Sequence, residues 1–283
     1  MAIKPAEIIT LAGDAGRYKA GLDLPNLLLR GFMAGIFIAM GATFATVCST
    51  GVETTLGPGV KAMIAGAVFP VGLVMIVITG MSLFTGDTML IPVAVFQGKT
   101  SWRKVGRAWL WVYAGNFAGS LFWAYLMVWG PFHKPGTHEL NAFGQSAVAI
   151  AQLKTLPYAA AGVAGLGSAF AKGIACNILV NLAILLGLSA EETTGKILGL
   201  WFPIMTFVAC GFEHSIANMY FVPAGIMLGA GVTWLQFFKW NLLPVTLGNI
   251  VGGLVFVGAA YSFCFSRELA NPSRPELVER KAA

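Results

Sequence analysis

His214, Glu213, Asp87 and Lys172 are the histidine, the carboxylates and the amine that this 283-residue chain carries within its long apolar stretches. His133, His138 and the remaining acidic residues fall in polar connections. Ionisable side chains inside apolar stretches of spanning length are costly and mark function by default. An imidazole with its ordinary pKa near ~6.5 exchanges a proton around neutral pH, so His214 is the leading candidate for handling one. The competing role is a neutral ring held by packing hydrogen bonds. Glu213 and Ser215 flank it, and the carboxylate reads first as a group that orients backbone at a helix break. Asp87 reads as an N-cap, a position that favours Asp. Thr85, Thr88, Asn177, Asn181, Ser215, Asn218 and Asn249 add hydroxyls and amides to the same stretches.

Other chemistry is excluded by what is missing. There is no HExxH, GxSxG, P-loop or dinucleotide fingerprint. Cys48, Cys176, Cys210 and Cys264 stand apart, without a CxxC or a Cys/His ligand pair, so neither a disulfide framework nor a metal site is expected. The chain therefore reads as no enzyme, with no metal and no cofactor. Two carboxylates, both at helix breaks, make a poor relay for a cation-coupled pump.

The elements that must position these groups are membrane helices. Charged residues make up 11% of the chain and apolar residues 57%, against roughly 25% charged in soluble domains, which leaves too little polar surface to cover a water-soluble globule. Six apolar stretches of about 20 residues or more follow one another: Leu27–Val47, Ala62–Phe96, Trp109–Trp129, Ala159–Leu188, Ile197–Leu228 and Leu242–Phe265. The expected fold is an all-α membrane protein, a single domain over residues 1–283. A Gly- and Pro-rich connection, residues 130–147, divides it into two three-helix repeats, about 27–129 and 159–265. Three spans in each repeat place the two in inverted orientation. The second and fifth spans are interrupted by polar, Gly-containing segments, residues 78–88 and 209–218, and paired interruptions of this kind point to a transport site. Freed backbone at such depth must be satisfied by protein or line a cavity.

Charge sets the orientation. Lys4, Arg17, Lys19, Arg30, Lys99, Arg103, Lys104, Arg107, Lys196, Arg267, Arg274, Arg280 and Lys281 fall on one side, and Lys61, Lys134, Lys154 and Lys239 on the other. Both termini are thus expected on the cytoplasmic side of the inner (cytoplasmic) membrane. The net charge of +6 is a topology signal beside the spans, and no nucleic-acid partner is expected. The N-terminal residues lack the apolar core of a cleaved signal peptide.

At the two interruptions the chain resembles the formate/nitrite transporter family. The motifs are Gly80-Met-Ser-Leu-Phe-Thr-Gly86, Cys176-Asn-Ile-Leu-Val-Asn-Leu-Ala183, Gly211-Phe-Glu-His-Ser-Ile-Ala-Asn-Met219 and Asn241-Leu-Leu-Pro-Val-Thr-Leu-Gly-Asn249. The resemblance implies an aquaporin-like fold assembled as a homopentamer, each protomer with its own pore. It implies that His214 is the central pore histidine, with Thr85 facing it and Asn177, Asn249 and Glu213 alongside. It places Phe69, Leu73 and Phe207 at an outer constriction and Leu83, Phe84 and Val180 at a cytoplasmic one. Lys154 looks like the lysine that draws anions to the outer mouth, although its spacing to Asn177 is longer than the family's. Met81-Ser82 and Asn181 also depart from the family pattern.

The implied substrates are small monovalent anions of weak acids, with formate first and nitrite and hydrosulfide as alternatives. Carrying a bare carboxylate through a dry constriction approaches an idealised cost of ~20 kcal/mol. Protonating a carboxylic acid of pKa ~4 at pH 7 costs about 4 kcal/mol. The expectation is therefore a proton-linked channel in which the anion crosses as the neutral acid with help from His214. A second version has bulk water supply the proton while His214 tunes selectivity. A neutral-solute channel of the water and glycerol type would carry Asn-Pro-Ala motifs, whereas the one Asn-Pro here is Asn271-Pro272 in the tail.

Overall fold

The structure is a computed structural model and describes residues 3–270. Arg274, Arg280, Lys281 and Asn271-Pro272 lie outside the described residues. Within them the chain is helical, with one isolated antiparallel bridge between His133 and Leu140.

The order is α1 (Pro5–Gly21), α2 (Leu24–Ser49), α3 (Val52–Val68), α4 (Val71–Thr79), α5 (Phe84–Phe96), α6 (Trp102–Trp129), α7 (Ala142–Leu153), α8 (Leu156–Ala160), α9 (Val163–Leu188), α10 (Thr193–Ala209), α11 (Ser215–Met227) and α12 (Trp234–Cys264). A short helix, Ser266–Ala270, follows. Residues of α2, α3 with α4 (Val52–Thr79), α9 and α12 are long and apolar enough to cross a membrane. The chain is an integral membrane protein.

Local chemistry sets the helix starts. Asp23 caps α2 by accepting from the Asn26 N–H at 3.0 Å. Asn141 caps α7 through the N–H groups of Phe143 and Gly144. Thr233 and Gln236 form a reciprocal capping box at α12. Long helices then pair through glycines, as expected where burial from water does not drive association. A Cβ on Gly119 of α6 would strike the Phe32 carbonyl of α2, and one on Gly248 of α12 would strike the Phe170 carbonyl of α9.

The helices outrun the apolar stretches read from the sequence. The third was expected at Trp109–Trp129, yet α6 begins at Trp102 and carries exposed Arg103, Lys104 and Arg107 on its first turns. Hydropathy marks only the apolar part of such a helix, and Lys and Arg are good helix formers. The sixth was expected from Leu242, yet α12 starts at Trp234 and contains two π-helical segments, Phe238–Leu242 and Gly252–Ala259. The connection after α6 holds a helix of its own, because its last residues start α7. Before α2, α1 lays Ile9 and Ala12 against Met89, Leu90 and Val93 of α5.

Candidate functional site

Two helix interruptions share one geometry. After α4, Gly80 takes φ +74°, the Met81 N–H returns to the Ile76 carbonyl at 2.9 Å, and Leu83 is extended before α5 opens at Phe84. After α10, Gly211 takes φ +68°, the Phe212 N–H returns to the Phe207 carbonyl at 3.0 Å, and His214 is extended before α11 opens at Ser215. Glycine reaches these left-handed angles without the penalty that a Cβ carries.

Asparagines from other helices satisfy the freed backbone. Asn116 of α6 accepts from the Phe84 N–H at 2.9 Å and donates to the carbonyls of Gly31 and Ser82 at 2.8 and 3.0 Å. Asn249 of α12 accepts from the Ser215 N–H at 2.9 Å and donates to the carbonyls of Gly173 and Glu213 at 2.8 and 3.0 Å. Both asparagines are fully buried. The second interruption is thus held by Asn249, and Glu213 is free to use its carboxylate on side chains.

The helix starts meet at Thr85 and His214, whose Oγ1 and Nε2 are 2.9 Å apart. His214 caps α11 by accepting the Ala217 N–H at Nδ1, 3.1 Å away. A backbone amide is always a donor, so Nδ1 carries the lone pair and the ring proton of the neutral imidazole sits on Nε2, donated to the Thr85 hydroxyl. The Thr85 carbonyl is held as firmly, receiving Thr88 Oγ1 at 2.7 Å, Asn177 Nδ2 at 3.1 Å and Asn181 Nδ2 at 3.2 Å.

Each interruption has its own ion pair. Lys154 Nζ lies 2.8 Å from Glu213 Oε2, which also accepts from Asn218 Nδ2 at 2.7 Å, while Oε1 accepts the Tyr158 hydroxyl at 2.9 Å. Lys19 of α1 pairs with Asp87 at 2.9 Å and reaches Ser82 Oγ at 3.3 Å. The expectation that Asp87 caps α5 is corrected: the N-cap position is Leu83, and Asp87 sits one turn inside the helix. Its carboxylate is bound to a lysine from another element, a partner that local sequence does not reveal.

A cavity of about 200 Å³ opens beside the Thr85–His214 contact, lined by Thr46, Phe69, Lys154, Phe207, His214 and Asn218 among others. Phe69 meets Phe207 edge-on with centroids 5.7 Å apart, and Phe207 stacks on the His214 imidazole at 5.7 Å. Leu73, Leu83, Phe84 and Val180 are buried in the core outside this lining, and Phe84 packs edge-on against Trp109 and Tyr113. The cavity therefore brings together His214, Lys154, Phe69 and Phe207, with Thr85, Glu213, Asn177 and Asn249 bonded around them.

Sequence reasoning passed over Lys19, Asn116 and Tyr158. Asn116 carries a usable signal, an amide in the middle of an apolar span, the same criterion that singles out Asn249. Lys19 and Tyr158 belong to flanking segments whose docking is tertiary, and their neighbours along the chain are silent.

Residues 6–263 match the family described as "Formate/nitrite transporter". The chain is 39% identical over 272 residues to the "Probable formate transporter" of Methanothermobacter thermautotrophicus, covering 93% of this chain and 97% of that one. It is 32% identical over 282 residues to the "Formate channel FocA" of Escherichia coli K12, covering 93% and 95%. Among solved structures it is similar to a "Pentameric formate channel with formate bound", with a TM-score of 0.72, 36% identity and coverage of 86% of this chain and 98% of that one. These relatives are channels and transporters rather than enzymes. The chain belongs to the formate/nitrite transporter family.

Proposed function

We propose that the protein is a proton-linked channel for small weak-acid anions, formate first, which cross as the neutral acid past His214. The observation that carries the reading is the Thr85–His214 contact at which the N-termini of α5 and α11 converge. Each helix start presents roughly half a positive charge, so the junction favours an anion and repels cations. Lys154 at the cavity adds to that field. Phe69 and Phe207 beside it form a dry constriction at which a bare charge loses its hydration. Leu73 extends that outer constriction, and Leu83, Phe84 and Val180 form the one on the cytoplasmic side.

The role of His214 follows from its cap. An imidazolium would give up the Ala217 bond and set a second positive charge at a helix N-terminus. The ring therefore works as a neutral donor through Nε2, with Thr85 passing the hydrogen bond to the substrate. Bulk water supplies the proton that neutralises the anion, the second of the two versions set out above. Asn177 and Asn249 hold Thr85 and the α11 start in register.

The matching hydrogen bonds of Asn116 and Asn249, and the positive φ shared by Gly80 and Gly211, support two inverted three-helix repeats with broken second and fifth spans. The pentameric relative supports a homopentamer; one pore per protomer is what the family resemblance implies, and the Lys and Arg distribution supports a place in the cytoplasmic membrane with both termini inside. Uptake of labelled formate into proteoliposomes, with nitrite and hydrosulfide as competitors at two pH values, tests the substrate. Formate uptake that a nitrite or hydrosulfide excess suppresses only at far higher concentration supports formate. Absence of formate uptake with nitrite or hydrosulfide flux present reassigns the channel within its family.

A further inference from the structure

Glu213 has a second cation behind it. Its Oε2 faces Lys154, and its Oε1 accepts the Tyr158 hydroxyl at 2.9 Å. The phenol has one proton and spends it on the carboxylate, so its oxygen is left to accept, and Lys172 Nζ donates to it at 3.2 Å. The Lys172 ammonium also lies 5.3 Å from the centroid of the Tyr158 ring. The result is a chain of contacts, Lys172–Tyr158–Glu213–Lys154, in which one ammonium group bonds the carboxylate directly and the second reaches it through the phenol.

The two lysines are not equivalent. Lys154 lines the cavity with His214 and Asn218, whereas Tyr158 and Lys172 lie outside its lining. Lys154 is therefore the cation an incoming anion meets, and Lys172 is the one it does not. Breaking a buried ion pair is costly because it strands the remaining charge. A carboxylate that keeps a polarised phenol and the Asn218 amide is not stranded when one lysine leaves. The short α8 that carries Tyr158 is pinned against α9, where a Cβ on Gly165 would strike the Tyr158 carbonyl.

We infer that Tyr158 and Lys172 are positioning residues that stabilise Glu213 from behind and so release Lys154 to follow an anion from the cavity. This rests on the anion-channel reading and extends it to residues that touch no substrate. Without the arm, Glu213 holds Lys154 more tightly and anion capture weakens, while the steps beyond the cavity are untouched.

The test is the concentration dependence of formate flux in proteoliposomes holding the assembled protein. Tyr158→Phe keeps the ring and removes the hydroxyl, and Lys172→Gln removes the charge from a half-buried site. Each is expected to raise the half-saturating formate concentration about tenfold, equivalent to about 1.4 kcal/mol, with the maximal flux retained. Lys172→Arg restores the wild-type value. In a Lys154→Met background neither change adds a further increase, because the lysine they act through is gone. An unchanged half-saturation in either variant, a loss confined to maximal flux, or full additivity with Lys154→Met overturns the inference. Wild-type protein that moves no formate instead overturns the channel reading on which it rests.

Discussion

Asn116 and Asn249 make the same three hydrogen bonds at two different helix interruptions, each accepting the first N–H of the helix that follows and tying together two carbonyls. The Gly31 and Gly173 carbonyls lie inside helices, but the opening N–H and the Ser82 or Glu213 carbonyl have no other partner in a medium without water. Replacing either asparagine with Ala leaves the opening N–H and the carbonyl at the interruption, Ser82 or Glu213, unpaired, at roughly 1–3 kcal/mol for each buried group. Thermal unfolding of the purified protein in detergent should fall clearly for Asn116→Ala and for Asn249→Ala. A midpoint unchanged in either variant contradicts this account of the interruptions.

His214→Asn and His214→Phe separate the cap from the donor. Asn is a strong N-cap, so His214→Asn keeps the bond to the Ala217 N–H, while Phe loses it. Neither side chain reproduces Nε2–H at its position 2.9 Å from Thr85. Formate flux is expected to drop at least about tenfold in both, the scale of one lost hydrogen bond at a site of charge, with stability reduced in His214→Phe alone. Wild-type flux in His214→Asn would reduce the histidine to a cap.

Thr85→Val tests the hydroxyl directly. The side chain is fully buried, and valine matches its shape without the oxygen. Flux should fall about tenfold, the equivalent of 1–1.5 kcal/mol, while Thr85→Ser retains most of it. Equal flux in Val and Ser variants would exclude the hydroxyl from the path.

Gly253 packs against the amides that hold Thr85. A Cβ there would run into Thr88 Oγ1 and come within 2.8 Å of Asn177 Nδ2 and Asn181 Nδ2. Gly253→Ala should cost about 1–3 kcal/mol as overpacking and displace α12 from α5 and α9. Gly211→Ala meets no neighbour and carries only the penalty of φ +68°, about 1–2 kcal/mol. Unfolding midpoints rank the two; if Gly253→Ala is silent, the amide cluster is not close-packed.

The interruptions and the place of His214 at one of them were legible in the sequence because their signal is local: glycine, a polar run and an imidazole inside an apolar stretch. The family resemblance extended that to Thr85 and Lys154. What stayed hidden is tertiary. Asp87 has the composition of a cap, but a lysine from α1 claims its carboxylate. Glu213 looked like a backbone support, and that task falls to Asn249, more than thirty residues further along the chain. Tyr158 is one aromatic in a connection until α8 folds onto α9 and turns its hydroxyl toward Glu213. Helix ends escaped for another reason: hydropathy marks only the apolar part of a helix, and α6 and α12 begin before it on charged or amphipathic turns.

The central claim is that formate crosses as the neutral acid, and simultaneous recording of lumenal pH and membrane potential in proteoliposomes tests it most directly. With formate added outside, the account predicts lumenal acidification with one proton for each formate taken up and no change in potential. Formate uptake that charges the vesicle lumen negative, with lumenal pH constant, would contradict it.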